Sequence, residues 1–592
     1  MNNINIRFWI IEILVLIIFG GIFIRLATLH TDTKHWSTKK LEKTRQYINI
    51  PIGNRGKIVD RNYELLALDS PGYTLYGDPQ YISKYGDIDM IVSVLSDALF
   101  INEDELRKLL SNTKRAYVPL LANKPSSHSS FKNIKPSRFP SIIYTDDKKE
   151  IKLKGIVLKE VKVRSYPKQT MLSHVLGYIN FDRIGSAGIE QTFNKFLKGK
   201  EGYRKGKTDA LRNEVYNERE IDKPPEDGST ITLTIDQEIQ DKVEEVIYSM
   251  HQEFNSKGAW AIVQDVQTGE ILAMASYPSY HPTKYNKVDA EWRRNRAISI
   301  NYDPGSTMKA ALIAIALEKK VVTSEEKFDC ENGRWLHAGR YLHDTKNHNL
   351  LSVSDILKVS SNIGSAKIAL RLGDKSLYEG LKKFNFGEKL NIELPGEEKG
   401  QLPHPKNWSK ISSSRIGIGQ GITTTALQMI SMMSCIANNG IQMKPYILKE
   451  IISSEGELIL KNYPTKIGNP ISIETARKVK EMLINVVEEK DGTGGKARIN
   501  EYKVAGKTGT AQKVIPINEG GGYYDDKHIS SFIGFFPANN PQISILVTAD
   551  DPSKKHYGGT VCGPAFKKIA EHTIKYLKIP PEGKKFYIMR DN

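Results

Sequence analysis

The sequence predicts an α+β protein in which one antiparallel sheet carries helices on its faces, preceded by a mixed α+β segment and one membrane-spanning helix. Three observations carry that prediction. Strand-like apolar runs near residue 259 recur near residue 529 with a helical stretch between them, so both ends of the region feed one sheet. Residues 51–225 mix short apolar runs with loops. Phe8 to Leu29 is almost wholly apolar and long enough, at about 20 residues, to cross a bilayer.

The apolar N-terminal run is interrupted by Glu12 and Arg25, and no small-x-small cleavage site follows it. It is therefore read as an uncleaved signal anchor. Glu12 falls within the first turns and is placed near the inner interface. Arg7 alone precedes the run, whereas Arg25, Lys34, Lys39 and Lys40 follow it. Charge by itself favours the opposite orientation, with the remainder of the chain inside, but long domains translocate largely regardless of such charges. The N-terminus is accordingly placed in the cytoplasm and the remainder outside the cell membrane.

A polar, basic stretch leads to about residue 50, and Pro125-Ser126-Ser127-His128-Ser129-Ser130 reads as a loop. Lys223-Pro224-Pro225-Glu226-Asp227-Gly228 is the best domain boundary. Thr230 to Ile235 reads as a strand entering a helix capped by Asp236. Ala259–Val266 and Glu270–Ala275 form a hairpin through Gln267-Thr268-Gly269. Ile529–Phe536 and Gln542–Thr548 repeat that pattern, and Pro564–Leu577 reads as a helix. The expected division is an anchor at 1–29, a first domain at 30–225, a second at 226–580 and a tail at 581–592.

A chain of 592 residues exceeds a single core, and 39% apolar content makes it globular. The net charge of +17 comes from lysines interspersed with acids, as in Asp146-Asp147-Lys148-Lys149-Glu150, and is read as solvated surface rather than a nucleic-acid footprint. Cys330, Cys435 and Cys562 lie far apart with no Cys-x-x-Cys pair, which argues against zinc and a disulfide scaffold. One bridge is formally possible; three free buried thiols are expected.

Chemistry concentrates in three strings: Ser306-Thr307-Met308-Lys309, Ser360-Ser361-Asn362 and Lys507-Thr508-Gly509-Thr510. Each string is common by itself. Ser37/Lys40, Ser129/Lys132 and Ser165/Lys168 also fit Ser-x-x-Lys, and Ser299-Ile300-Asn301 fits Ser-x-Asn. Met308–Leu317 is apolar almost all round, so its helix is buried. Pro304 suits a first turn and puts Ser306 at the helix start, where the dipole favours a developing oxyanion. Lys309 shares the face of Ser306, and burial favours its neutral amine, a base for the serine proton. Ser360 offers a proton relay and Asn362 an amide to orient a substrate. Lys507 supplies a cation that would depress Lys309 further at close range, and Thr508 and Thr510 supply hydroxyls for a carboxylate. On an edge strand, Gly509 would leave room for an extended peptide. A phosphate loop is excluded because Glu501 stands five residues before Gly506, where its first glycine is required.

In this order the three strings resemble the penicillin-binding protein and serine β-lactamase superfamily. Arg55-Gly56-Lys57-Ile58-Val59-Asp60-Arg61-Asn62, Arg164-Ser165-Tyr166-Pro167, His174-Val175-Leu176-Gly177-Tyr178, Gly188-Ile189-Glu190 and Leu197-Lys198-Gly199 resemble the pedestal motifs of class B penicillin-binding proteins. Arg294-Asn295-Arg296-Ala297, Leu394-Pro395-Gly396-Glu397, Gly417-Ile418-Gly419-Gln420-Gly421 and Tyr557-Gly558-Gly559-Thr560-Val561 extend the likeness over nearly the whole chain. Tyr63 stands where that family has glycine, Asp303 where glutamate is common, and Cys562-Gly563 where small apolar residues are common.

The resemblance implies the penicillin-binding transpeptidase fold on an elongated, non-catalytic pedestal. It implies a D,D-transpeptidase that cross-links peptidoglycan stem peptides on lipid II-derived strands through an acyl-Ser306 ester, needs no metal or organic cofactor, and is blocked by β-lactams. Lys309 is then the base, Ser360 and Lys507 manage the leaving-group proton, the N–H groups of Ser306 and Thr510 form the oxyanion hole, and Thr508 and Thr510 hold the substrate carboxylate. The division type fits best, with a SEDS-type glycosyltransferase and other divisome membrane proteins as partners; elongation, sporulation and an idle β-lactam sensor are the alternatives. A β-lactamase would need a Glu-x-x-Leu-Asn string between the second and third motifs, and none is present. A bifunctional enzyme would carry an N-terminal glycosyltransferase motif, which is also lacking.

Overall fold

The computed structural model describes residues 2–32, 45–99, 101–126, 128, 134–135, 141–144, 150–209 and 214–581. Ser37/Lys40, Ser129/Lys132, Lys34, Lys39, residues 127, 129 and 130 of the loop at 125–130 and the tail at 582–592 lie outside them.

Helix α1 (Asn2–Asp32) contains Phe8–Thr28, which among the described residues is the one helix long and apolar enough to cross a membrane. Its apolar side chains are exposed, as lipid contact requires.

Contacts divide the chain into two units, residues 1–54 with 198–228 and residues 55–197 with 229–592. In the first, Tyr203–Thr208 is the central strand, paired antiparallel with Gln46–Asn49, Glu214–Val215 and Ile221–Lys223. This grouping cuts across the division at residue 225 expected from the sequence, and a second-unit sheet shows why. Its strands run in the order Leu458–Lys461, Leu448–Ile452, Thr230–Leu233, Ile58–Val59, Leu65–Gly77, Val118–Pro125, with Ile156–Ser165 also paired to Leu65–Gly77. Ile58 and Val59 lie parallel to Ile231 and Thr232, so backbone hydrogen bonds join segments on both sides of that boundary.

Three of the sequence motifs converge at one buried carboxylate. Arg55 Nε donates to Glu190 Oε2 at 2.5 Å and Arg164 Nε to Glu190 Oε1 at 2.6 Å, with all three side chains almost fully buried. Asp60 accepts from the N–H groups of Asn62, Glu64 and Gln237, the last at the start of α2 (Gln237–Phe254), which Asp236 caps as expected. Tyr63 has φ +67°, a left-handed conformation that accounts for glycine at this place in the family pattern. Its hydroxyl donates to Glu450 Oε1 at 3.0 Å.

The second sheet of this unit is fully antiparallel. Strands β1 (Gly258–Asp265), β2 (Ile271–Tyr277), β3 (Ala505–Val514), β4 (Tyr523–Phe536) and β5 (Ile543–Asp550) stand in the order β2-β1-β5-β4-β3. As expected, both ends of the region feed it, and β3 is an edge. Gly269, at φ +84°, makes the β1–β2 turn. One face is covered by α2 and α3 (Gly563–Leu577), whose apolar sides bury Ile239, Val243, Phe566 and Ile569.

The other face meets the helical middle. Helix α4 (Lys309–Glu318) is buried from Lys309 through Leu317. Around it lie α5 (Val353–Val359), α6 (Asn362–Leu372), α7 (Ala426–Ala437) and α8 (Ile473–Glu488). The three cysteines are buried and free.

Candidate active site

Ser306 lies in a 3₁₀ turn, Gly305–Met308, that runs into α4. Gly305 takes φ +55°, and its N–H donates to Gly419 O at 3.0 Å, which fixes the entry of the chain. Gly419 is itself at φ +80°, and a Cβ there would stand 2.0 Å from Gly305 O. The Ile-Gly-Gln-Gly loop therefore seats the nucleophile turn by close backbone contact, a role that a motif match does not reveal.

Ser306, Ser360, Asn362, Thr508 and Thr510 line one cavity of about 750 Å³. Lys309 and Lys507 lie beneath it with no exposed surface. Helix α5 ends at Ser360, whose φ of +65° turns the chain, and Ser361 caps α6 by accepting from Gly364 N–H. That reversal aims the Ser360 hydroxyl and the Asn362 amide at the lysines. Lys309 Nζ donates to Ser360 O at 2.7 Å and Asn362 Oδ1 at 2.8 Å and lies 3.2 Å from Ser360 Oγ. Asn362 Nδ2 donates to His343 O at 2.9 Å, which fixes the amide's orientation. Lys507 Nζ reaches Ser360 Oγ at 2.9 Å.

Burial pushes Lys309 down to about 7, against an opposing pull from the Asp344 carboxylate. Burial also holds Lys507 well below the usual lysine range, assisted by the charge of Lys309. Two cations this close and this dry repel, so proton occupancy belongs to the pair. A neutral Lys309 amine spends its two N–H bonds on Ser360 O and Asn362 Oδ1, which leaves a lone pair for a hydroxyl proton.

Thr508 Oγ1 donates to Thr493 Oγ1 at 3.0 Å, and Thr510 Oγ1 accepts from Gly558 N–H at 3.0 Å, keeping its own O–H for the cavity. Gly509 requires a correction. It is buried, and a Cβ there would meet Ser531 Oγ at 2.3 Å and Thr307 Cγ2 at 3.0 Å. The space it leaves is filled by protein on the inner side of β3, not opened to a peptide.

The remaining decoys lie apart. Ser165 ends a strand, and Ser299 Oγ donates to Asn295 O while Asn301 is exposed.

Sequence reasoning missed Asp344 and Thr493. Asp344 accepts from Ser361 Oγ at 2.6 Å, Asn362 N at 2.5 Å and Ile363 N at 3.0 Å, pinning the start of α6. Thr493 lines the cavity on a loop that Lys358 tethers through Glu489 and Asp491. Neither lies in a motif, and only the folded chain brings them to the site. Asp303, where glutamate is common, accepts from Tyr523 O–H at 2.7 Å and Gly421 N–H at 3.2 Å.

Comparison with known proteins agrees with this geometry. The profile of the penicillin-binding protein transpeptidase domain matches residues 259–571, and that of the penicillin-binding protein dimerisation domain matches residues 52–233. The chain belongs to the penicillin-binding protein family, in its class B arrangement of these two domains. Stage V sporulation protein D of Bacillus subtilis is 32% identical over 540 residues, covering 90% of this chain and 80% of that protein. Peptidoglycan D,D-transpeptidase FtsI of Buchnera aphidicola is 32% identical over 538 residues, covering 90% and 88%. A crystal structure of penicillin-binding protein 3 of Mycobacterium tuberculosis complexed with aztreonam superposes with a TM-score of 0.67 at 25% identity, covering 90% of this chain and 98% of that one.

Proposed function

We propose that this protein is a serine-type peptidoglycan D,D-transpeptidase in which Ser306 attacks the carbonyl between the two D-alanines of a donor stem peptide. The observation that carries the reading is the Ser360 hydroxyl bracketed by Lys309 and Lys507 in the cavity lined by Ser306. Lys309 takes the Ser306 proton. The oxyanion is held by the N–H groups of Ser306 and Thr510. Ser360, between the two lysines, passes a proton to the departing D-alanine, whose carboxylate is held by Thr508 and Thr510. An amine on a neighbouring stem then attacks the Ser306 ester, and the cross-link forms as the serine is released. A β-lactam enters the same first step and remains bound as an ester.

The roles are assigned along the chain as anchor 1–29, pedestal 30–225 and transpeptidase 226–580, a reading supported by the profile matches at 52–233 and 259–571. The chain is a single-pass membrane protein with its N-terminus in the cytoplasm and the site on the wall side. Its role is septal, in keeping with relatives named FtsI, and its partners are a SEDS-type glycosyltransferase and other divisome membrane proteins.

The test is cross-linking of lipid II-derived strands by the full chain, with and without a co-expressed glycosyltransferase. Dimeric stem peptides and free D-alanine are expected, and neither should appear with Ser306→Ala. Depletion in cells should give filaments; swollen round cells would contradict the septal role.

A further inference from the structure

A second cavity, of about 450 Å³, joins the catalytic one, since Gln420 and Gln512 line both. Arg340 and Arg415 contribute to its wall. Arg415 Nη1 donates to the neutral Gln420 Oε1 at 2.9 Å, and among the described residues no carboxylate lines this cavity beside the two guanidiniums. Two aromatic walls are fixed: Trp408 Nε1 donates to Pro403 O at 2.9 Å, and Tyr523 is held by Asp303.

Strand direction says what reaches this cavity. Along β3 the hydroxyls assigned to the substrate's terminal carboxylate come first, at Thr508 and Thr510, and Gln512 follows. A donor peptide lying on this edge with its carboxylate at that end sends its upstream residues past Ala511 and Gln512. From Thr510 to Gln512 is about 7 Å of extended chain, the advance of two residues. The residue just before the D-Ala–D-Ala pair therefore arrives between the arginines.

We infer that the Arg340–Arg415 cavity is the subsite for the donor stem residue preceding D-Ala–D-Ala and selects a side chain that ends in a carboxylate. The inference rests on the donor chemistry proposed above. Two unneutralised guanidiniums suit a carboxylate through charge-assisted, paired hydrogen bonds and oppose a side chain ending in ammonium alone.

The test uses the full-length protein in detergent with no acceptor amine, so that only the donor is bound. Two synthetic peptides ending in D-Ala–D-Ala are compared, one with a side-chain carboxylate at the preceding residue and one with the corresponding carboxamide. The burst of D-alanine release should favour the carboxylate by about tenfold in kcat/KM. Arg340→Gln/Arg415→Gln should bring that ratio near one. Because each variant is its own control through the carboxamide peptide, a general loss of activity does not imitate the effect. If the double variant turns over neither peptide, the exposed Arg340→Gln alone decides, with an expected fall in the ratio of about threefold. A wild-type ratio near one, or a ratio unchanged by the substitutions, overturns the subsite. Failure of the wild type to react with penicillin would instead overturn the transpeptidase reading.

Discussion

Lys309 and Lys507 share one hydroxyl: their Nζ atoms lie 3.2 and 2.9 Å from Ser360 Oγ. Both amines are without exposed surface, and burial depresses both. The serine between them can take a proton from one nitrogen and offer one to the cavity without either lysine moving. The arrangement also divides the labour. Lys309 directly follows the turn that carries Ser306, whereas Lys507 stands on the edge strand β3.

Lys309, held at about 7, must be neutral to take the Ser306 proton, so acylation should fall as pH drops through that value. The rate should decline about tenfold per unit below it and level off above. Stopped-flow acylation by a chromogenic cephalosporin between pH 5 and 9 measures the limb; a flat profile would remove Lys309 as the base.

Asp344 acts through others and is a positioning residue. Its carboxylate holds Ser361 and the N–H groups of Asn362 and Ile363, and its charge raises Lys309. Asp344→Asn keeps an acceptor for the N–H groups but loses the charge. Lys309 then shifts lower still, so the limb should move to more acidic pH while the plateau rate falls about tenfold. A lower plateau with an unmoved limb would reduce Asp344 to a helix cap.

Gly419→Ala puts a methyl 2.0 Å from Gly305 O in a residue already at φ +80°. The nucleophile turn must move, and a displacement of this kind costs about a hundredfold in acylation. Penicillin acylation rates, with a circular-dichroism melt to show that the fold is kept, test this. Wild-type acylation would mean that the loop does not seat Ser306.

Glu190 satisfies two buried guanidiniums at once, Arg55 and Arg164. Glu190→Leu should lower stability by about 3–5 kcal/mol, because it leaves two buried charges short of their partner. Denaturant unfolding of the full chain measures it, and a change under about 1 kcal/mol would contradict the account.

Local pattern made much of this molecule readable. The all-apolar run after Ser306 distinguished its string from the other Ser-x-x-Lys strings, none of which opens such a run, and the strand pairs at 259–275 and 529–548 marked one sheet, because periodicity is a local property. Contacts across long separations were not readable. Asp344 meets Ser361 across 17 positions, and Thr508 meets Thr493 across 15, with no pattern linking either pair. Gly509 was misread because a glycine on a strand does not say which side its missing Cβ would occupy. The pairing of Ile58 with Ile231 escaped notice because each strand's share of the ladder is only a few residues.

The central claim is that Ser306 forms the covalent ester. Intact-mass and peptide-mapping mass spectrometry after exposure to benzylpenicillin test it most directly. The account predicts a single penicilloyl adduct on the peptide containing Ser306, absent in Ser306→Ala. No adduct on the folded wild-type chain, or the same adduct retained in Ser306→Ala, would contradict it.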